Sequence, residues 1–453
     1  MKGDGPLRAV PFRYFLAVQK RTSPTAASGW HLYSSAAYHL FVLLTGTALS
    51  FPFAANIIVH MHTYELIAPC HFGLESVVKN EIYDLGYEIV QVDDGRVSFT
   101  GDEEAIVRAN LSLRVAERVL LKVGSFHAES FEDLFQGTKA LPWEEFLPKD
   151  AKFWVTKASS VKSRLFSPSD IQSVMKKAMV SRMAEHYGIT QFPETGASYP
   201  VRVFLKKDEV TVAIDTTGDS LHKRGYRKYK VAAPIAENLA AGLIALTPWK
   251  PGRMLVDPFC GSGTFLIEAA MISAHIAPGL ARAFTAETWE NLIPAELWAE
   301  IREELRGEID TTVECDLQGY DIDRDAVYAA RENAKLAGVA NLIHFQVRPV
   351  QELSHPRAYG FIITNPPYGE RLEGGEEQAS ELIQLYRTLG ERFRALNAWS
   401  MYVITSYADA EKALGMKAQK NRKIYNGMIK TYFYMFPGPK PKAGTRPSGQ
   451  GQR

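Results

Sequence analysis

Three short segments in the second half of this 453-residue sequence carry side chains suited to holding a ligand and reacting it. The first is Asp257-Pro258-Phe259-Cys260-Gly261-Ser262-Gly263-Thr264. Its glycines let a backbone approach a ligand closely, and a helix starting at Thr264 would offer unpaired N–H groups. It is not a Walker A loop, since no Gly-Lys-Ser/Thr follows, and it lacks the spacing of the dinucleotide fingerprint. The second is Gly319-Tyr320-Asp321-Ile322-Asp323. A carboxylate at the end of a strand can accept both ribose hydroxyls of a nucleoside. Asp323 is placed to cap the next helix, so the ribose role falls to Asp321. The third is Asn365-Pro366-Pro367-Tyr368. Two prolines cannot continue a strand and hold the turn stiff. The Asn365 side-chain carbonyl and the Pro366 backbone carbonyl can then accept the two hydrogens of a planar amino group. That draws the nitrogen lone pair toward an electrophile, and Tyr368 can stack on the ring bearing the amine. No base of unusual pKa is needed, because the amine becomes acidic once alkylated.

The elements that must position these segments follow from periodicity. From about Ala232 the pattern alternates: strands at Met254–Val256, Leu317–Tyr320, Ile343–Val347, Gly360–Thr364 and Met401–Thr405, helices at Thr264–Ala277, Arg324–Ala337 and Glu381–Leu396. Such alternation predicts parallel strands with crossover helices, and open sheets of this kind bind ligands at the strands' carboxyl ends. Lys423–Phe436 reads as an antiparallel hairpin around Asn426-Gly427. Nearer the start, Tyr64–Ala68, a helix ending at Gly86, a hairpin around Asp94-Gly95, a helix over Glu103–Leu113 and a strand near Val119–Val123 predict a ferredoxin-like unit. A strand at Lys152–Lys157 follows. A helix then opens at Ser167-Pro168 and closes at Gly188, with Ile171, Val174, Ala178, Met179 and Met183 on one apolar face. Strands at Val201–Leu205 and Val210–Asp215 come next. Residues 281–316 read as an acidic helical insertion. Residues 437–453 read as a disordered basic tail, with four basic residues and no acidic one.

The hydrophobic fraction is 46% and charged residues make up 23%, which excludes a disordered, collagen-like or wholly membrane-embedded chain. A net charge of +1 conceals segregation. Residues 151–230 carry 15 Lys and Arg against 7 Asp and Glu, a local +8, whereas residues 61–150 carry 8 against 17, a local −9. The ten residues from Leu221 to Lys230 hold five basic and two aromatic side chains. They read either as a solvated linker or as a contact strip for single-stranded nucleic acid, with Lys223, Arg224, Arg227 and Lys228 for phosphates and Tyr226 for stacking. Arg371, after Gly369-Glu370, reads as a further RNA contact or as a surface residue preceding a helix. The three cysteines, Cys70, Cys260 and Cys315, form neither a CxxC pair nor a disulfide framework. They point to a reducing, cytoplasmic compartment and to no metal site. Small size explains Cys260 better than nucleophilicity does. Residues 1–60 read unlike the rest, with no Asp, Glu, Lys or Arg from Ala36 to Val59. A mis-assigned start with Met61 as the true initiator is favoured over an anchor or presequence and over an extra buried element.

The order DPFCGSG, GYDID, NPPY resembles the class I S-adenosylmethionine-dependent methyltransferases that modify exocyclic amines. KRGYRKYKVAAPIAENLAAGL and NPPYGERL resemble, more narrowly, the THUMP-domain RNA guanine-N2 methyltransferases, among them the bacterial 23S rRNA enzymes and their tRNA relatives. The likeness covers about Met61 to Phe436. It rests on specific motifs in the catalytic half and on order and length in the THUMP half. It implies an α/β fold: a Rossmann-like class I methyltransferase sheet with a C-terminal antiparallel hairpin, preceded by α+β ferredoxin-like and THUMP domains. The expected bounds are 61–125, 126–222 and 223–436. It implies S-adenosylmethionine as cofactor and S-adenosylhomocysteine as product. Asp257, Gly261 and Gly263, with the rest of the segment from Pro258 to Thr264, would frame the cofactor's methionine end, and Asp321 its ribose. Asn365, Pro366, Pro367 and Tyr368 would hold the target guanine, with Asn365 also bordering the cofactor. One departure concerns the cofactor's adenine: Phe345–Gln351 lacks the usual acidic residue, and Pro349 cannot replace it, leaving Gln351 or a backbone carbonyl. The expected function is methylation of a guanine N2 in RNA, 23S rRNA ahead of tRNA, on an unpaired or flipped-out base. The alternatives are an adenine-N6 enzyme, a protein glutamine methyltransferase, and a non-catalytic ribosome-assembly factor. No stable membrane partner is expected.

Overall fold

Two seven-stranded sheets organise the described residues. The computed structural model describes residues 63–229, 231, 234–369 and 375–440. The expectations for residues 1–60, for Arg371 and for most of the basic tail therefore lie outside the described residues.

The first sheet begins with the expected β-α-β-β-α-β order: β1 (Tyr64–Pro69), α1 (Glu75–Asp84), β2 (Glu88–Asp93), β3 (Arg96–Gly101), α2 (Glu103–Ser112) and β4 (Leu120–His127). Helix α1 buries Val77, Val78 and Ile82. Asp94-Gly95 forms the two-residue turn between β2 and β3, closed by the Asp93–Arg96 pair, with Gly95 at φ +76. Asp102 caps α2 by accepting the Ala105 N–H at 3.0 Å. Next come α3 (Phe131–Ala140), β5 (Lys152–Val161), α4 (Pro168–Tyr187), β6 (Ser198–Lys206) and β7 (Glu209–Asp215). The buried face of α4 is Ile171, Met175, Ala178, Met179 and Met183; Val174 is only half-buried, so Met175 takes the place expected for it.

These strands share one sheet, in the order β2-β3-β1-β4-β7-β6-β5. Strand β4 is the join. It meets β1 at Leu66–Leu121 and Ile67–Leu120, but pairs with β7 from Leu120–Asp215 to His127–Glu209. Only β5 and β6 run parallel.

The second sheet holds β8 (Leu255–Asp257), β9 (Leu317–Asp321), β10 (Ile343–Val347), β11 (Phe361–Thr364), β12 (Ser400–Thr405), β13 (Lys420–Asn426) and β14 (Ile429–Phe436). Its order is β10-β9-β8-β11-β12-β14-β13. The first five strands in that order are parallel, as the alternation predicts, and β14 and β13 are added antiparallel as the expected hairpin, whose two-residue loop is Gly427-Met428, closed by the Asn426–Ile429 pair, one residue later than Asn426-Gly427. Helices α5 (Glu237–Ala245), α6 (Thr264–Ser273), α7 (Ala295–Gly307), α8 (Arg324–Leu336), α9 (Gly375–Ala395) and α10 (Ala410–Leu414) accompany these strands. The acidic insertion supplies α7, which buries Trp298, Ile301 and Leu305 and presents Glu304 to Arg108 of α2 at 2.7 Å. The chain order reverses between β8 and β11, so the switch point where open sheets bind ligands lies between the first and third motifs.

Candidate active site at the carboxyl edge of the parallel sheet

Strand β8 ends at Asp257 and the chain turns tightly into α6. Gly261 (φ +50) and Gly263 (φ +84) make the turn. A Cβ on Gly263 would stand 2.9 Å from the Phe345 ring and 3.1 Å from Ala330 Cβ, so this position needs glycine on two counts. Gly263 caps α6 with no side chain, which leaves first-turn N–H groups open toward the loop. The neighbouring strand holds the loop down. The Cys260 N–H donates to the Tyr320 carbonyl at 2.9 Å, and the Gly261 N–H to Asp321 Oδ2 at 2.9 Å. The Asp323 N–H donates to Asp321 Oδ1 at 3.0 Å. Each Asp321 oxygen thus keeps a second lone pair for a ligand hydroxyl. Burial raises the Asp321 carboxyl above its ordinary pKa. Asp323 caps α8 through the Asp325 N–H at 2.8 Å. Cys260 is buried and its thiol is pushed far up by that burial, which disfavours the thiolate that a nucleophile needs. Pro258, Ser262 and Thr264 are buried and Phe259 is half-buried.

Asp257 is 2% exposed. It accepts the Thr364 hydroxyl at 2.6 Å and the Phe259 N–H at 3.1 Å on the same oxygen. Burial raises its carboxyl to about 7; the two hydrogen bonds act the other way. Thr364 is the last residue of β11, so this bond joins the glycine loop directly to the turn that begins at Asn365. In that turn Asn365 and Tyr368 are half-buried, Pro366 is buried and Pro367 exposed. The Tyr368 hydroxyl donates to Asn365 Oδ1, which leaves the second lone pair of that oxygen for an incoming amine. Tyr386 of α9 pins the turn from the other side. Its hydroxyl lies 3.0 Å from the Pro367 carbonyl and 2.7 Å from Thr405 Oγ1 at the end of β12, and its ring packs on Tyr407. Sequence reasoning missed Thr364, Tyr386 and Thr405. A threonine closing an apolar run just before Asn-Pro-Pro was the available signal; Tyr386 reads simply as helix core. Where an adenine contact is expected, the Arg348 N–H donates to the Asp321 carbonyl at 2.9 Å, and Gln351 is exposed.

The basic strip is corrected. Arg224 is 2% exposed, ion-pairs with Glu268 at 3.4 Å and donates to the carbonyls of Leu221 and Arg114. Tyr226 is buried, with its hydroxyl 3.1 Å from Glu268. Arg227 pairs with Glu237 at 3.0 Å and donates to the Ile235 carbonyl. These three cannot meet phosphates or bases. They point inward because a buried carboxylate needs a paired cation, and Glu268 and Glu237 are buried on α6 and α5. Lys223 and Lys228 stay exposed, with Lys223 paired to Asp219 at 2.8 Å.

Residues 224–434 match the family described as "RMKL-like, methyltransferase domain". Residues 65–120 match the "RlmL ferredoxin-like domain" and residues 128–215 the "THUMP domain". A Bacillus subtilis (strain 168) protein named "Putative RNA methyltransferase YpsC" is 46% identical over 378 residues, 83% of this chain and 96% of the relative. The chain belongs to the RMKL-like methyltransferase family. Within that family, the "Ribosomal RNA large subunit methyltransferase K/L" of Marinomonas sp. (strain MWYL1) is 33% identical over 387 residues, 83% of this chain. The match takes in 53% of that relative, so the chain spans about half its length. Among solved structures, SMU.472, described as "a putative methyltransferase complexed with SAH", superposes with a TM-score of 0.78. It is 42% identical, covering 84% of this chain and 99% of that one. The family thus accounts for the methyltransferase sheet and for the ferredoxin-like and THUMP domains ahead of it.

Proposed function

We propose that this protein transfers a methyl group from S-adenosylmethionine to the N2 amine of a guanine in RNA, with 23S rRNA the substrate rather than tRNA. The observation that carries the reading is the Thr364–Asp257 bond, which sets the amine-accepting turn against the glycine loop on adjacent strands. The residues present fit the cofactor. The open N–H groups at the start of α6 suit its carboxylate, the Asp321 lone pairs its ribose, and Asp257 its ammonium end. When bound, it supplies an electrophilic methyl group. The chain's part is to hold the amine in place. Asn365 Oδ1 and the Pro366 carbonyl accept its two hydrogens, and Tyr368 supports both the amide and the ring. Tyr386 keeps the turn from relaxing. Orientation of this kind supplies much of the rate in group transfer.

An RNA substrate is supported by the names of the relatives and by the end of the first sheet. There Lys162, Lys206 and Lys207 are exposed beside Phe166, itself 79% exposed, and the Lys207 N–H bonds the Val161 carbonyl. On this reading residues 61–125 and 126–222 present RNA to residues 223–436, in a cytoplasmic compartment. The test is mass spectrometry of nucleosides from separated rRNA and tRNA, with and without the gene. Loss of N2-methylguanosine from rRNA alone is expected. Loss of N6-methyladenosine instead, or of neither, overturns the proposal. Asn365→Ala should lower turnover about 100-fold while cofactor affinity, read by calorimetry, changes less than twofold.

A further inference from the structure

Arg224 and Arg227 are taken up by Glu268 and Glu237, which leaves the strip with fewer free cations than its sequence suggests, and the C-terminal hairpin holds others. Residues 420–436 contain four basic residues and no acidic one. Side chains alternate between faces along a strand, so Lys423 and Tyr425 on β13 share a face with Lys430 and Tyr432 on β14. Across the pair, Lys423 lies opposite Tyr432 and Tyr425 opposite Lys430. The four make a two-by-two checkerboard of cation and ring. Lys423 lies 5.1 Å from the Tyr425 ring centroid and Lys430 5.3 Å from that of Tyr432. Lys423, Tyr425 and Lys430 are exposed, and neither lysine forms an ion pair among the described residues.

Register places this patch beside the active site. Strand β12 pairs with β11 at Val403–Thr364 and ends at Thr405, opposite Tyr432. From Tyr432 back to Ile429, β14 runs three residues past that end, roughly 10 Å beyond the carboxyl edge of the sheet. Strand β14 therefore stands two strand spacings, about 10 Å, and β13 three, about 14 Å, to the side of the Asn365 turn, and both project past the carboxyl edge, where open sheets bind ligands. Its tip residue Met428 is 97% exposed. At its base, the Lys423 carbonyl is 3.8 Å from the Cβ position of Gly73, which brings the patch next to Phe72 of the ferredoxin-like unit, 54% exposed. Protection of an exposed sheet edge would explain lysines on β13, the edge strand. It does not explain the exposure of Tyr425 and Met428.

We propose that the β13–β14 hairpin, through Lys423, Tyr425, Lys430 and Tyr432, grips the single-stranded RNA that flanks the target base. Cations meet the phosphates and rings stack on unpaired bases, the combination single strands require. The inference rests on the RNA reading above, but its first test needs no turnover. Binding of a fluorescein-labelled, mixed-sequence single-stranded 12-mer oligoribonucleotide to the full chain is read by anisotropy across a salt series. The Lys423→Glu/Lys430→Glu double variant should weaken binding at least tenfold and reduce the slope of log K against log salt by about 1.4. Tyr425→Ala should weaken it at least fivefold. Lys423→Arg/Lys430→Arg and Tyr425→Phe should bind as the parent does, which separates contact from misfolding. Unchanged affinity and slope in the Glu variant, or no binding by the parent chain, overturns the proposal. In methyl transfer to a 23S rRNA transcript, the Glu variant should raise KM at least tenfold and change kcat less than twofold. A parent chain that methylates no RNA would remove the proposed function, whereas a parent that does so with KM unmoved in the variant would remove the hairpin's role alone.

Discussion

Asp257 is costly where it stands: a carboxyl buried in protein with one of its oxygens receiving both of its hydrogen bonds. Its folded pKa of about 7 lies above the unfolded value, so the folded state holds a proton that the unfolded state has released. Its contribution to stability is complete below about pH 4 and is lost as the pH rises through about 7. Asp257→Asn keeps an acceptor for Thr364 and removes the titration. The variant should match the parent at pH 4 and exceed it at pH 8 by roughly 1–3 kcal/mol in urea unfolding. It should at the same time lose affinity for a cationic ligand, the usual conflict between stability and function. Thr364→Val should destabilise by about 1–3 kcal/mol, because the buried carboxyl loses a donor, with urea unfolding again the measurement. At this scale the residues proposed to face a ligand are the ones sequence can nominate, since their chemistry is written in their types. Residues that act by holding others are not among them. Thr364 and Tyr386 matter through a partner on another strand, and a sequence does not print partners. Arg224 failed for the same reason in reverse: its charge is visible, and Glu268, which takes that charge inward, lies 44 residues away.

Among the elements, the glycine turn before α6 is tightly constrained by its left-handed backbone and its neighbours. Gly263→Ala forces a side chain into the left-handed region and against Phe345 and Ala330. It should destabilise by about 1–3 kcal/mol by chemical denaturation, with cofactor affinity falling alongside. Among the described residues Gly261→Ala has only Val231 nearby, 3.5 Å from the Cβ position, and should cost less. The parallel strands were legible because a buried strand followed by an amphipathic helix has a distinct period. The hairpins were legible because turns that carry glycine have a distinct chemistry, although the second turns at Gly427-Met428, one residue past Asn426-Gly427. The buried face of α4 was read one position off, at Val174 instead of Met175, because both residues are apolar and only packing chooses between them. The hairpin's checkerboard was invisible until register was known, since a slip of one residue would scatter its four side chains over two faces.

Across the whole molecule, the pairing of Arg224 with Glu268 fastens the two halves together: Arg224 reaches the Arg114 carbonyl just beyond α2, and Glu268 belongs to α6. Glu268→Ala leaves a guanidinium buried without its partner and should cost roughly 3–5 kcal/mol. Arg224→Met/Glu268→Leu should cost less than either single change. A double-mutant cycle by urea unfolding measures the difference. Segment charge is a poor guide to which residues are free to meet an anion, because part of the +8 neutralises carboxylates inside the protein.

The seam at β4 also sets an order of events during synthesis. Two family signatures divide there, yet the strand's long partner is β7, whose last residue follows β4's by 88 positions. At typical elongation rates that partner leaves the ribosome roughly 4–18 s later. Until then the outer edge of β4 is a bare ladder of N–H and C=O groups on a nascent chain, open to any other strand. The ferredoxin-like unit is therefore unfinished when its own residues are complete. Its protection on the ribosome depends on how fast the THUMP strands arrive, and a translational pause placed between Ala128 and Glu209 would lengthen the interval in which misassembly can begin.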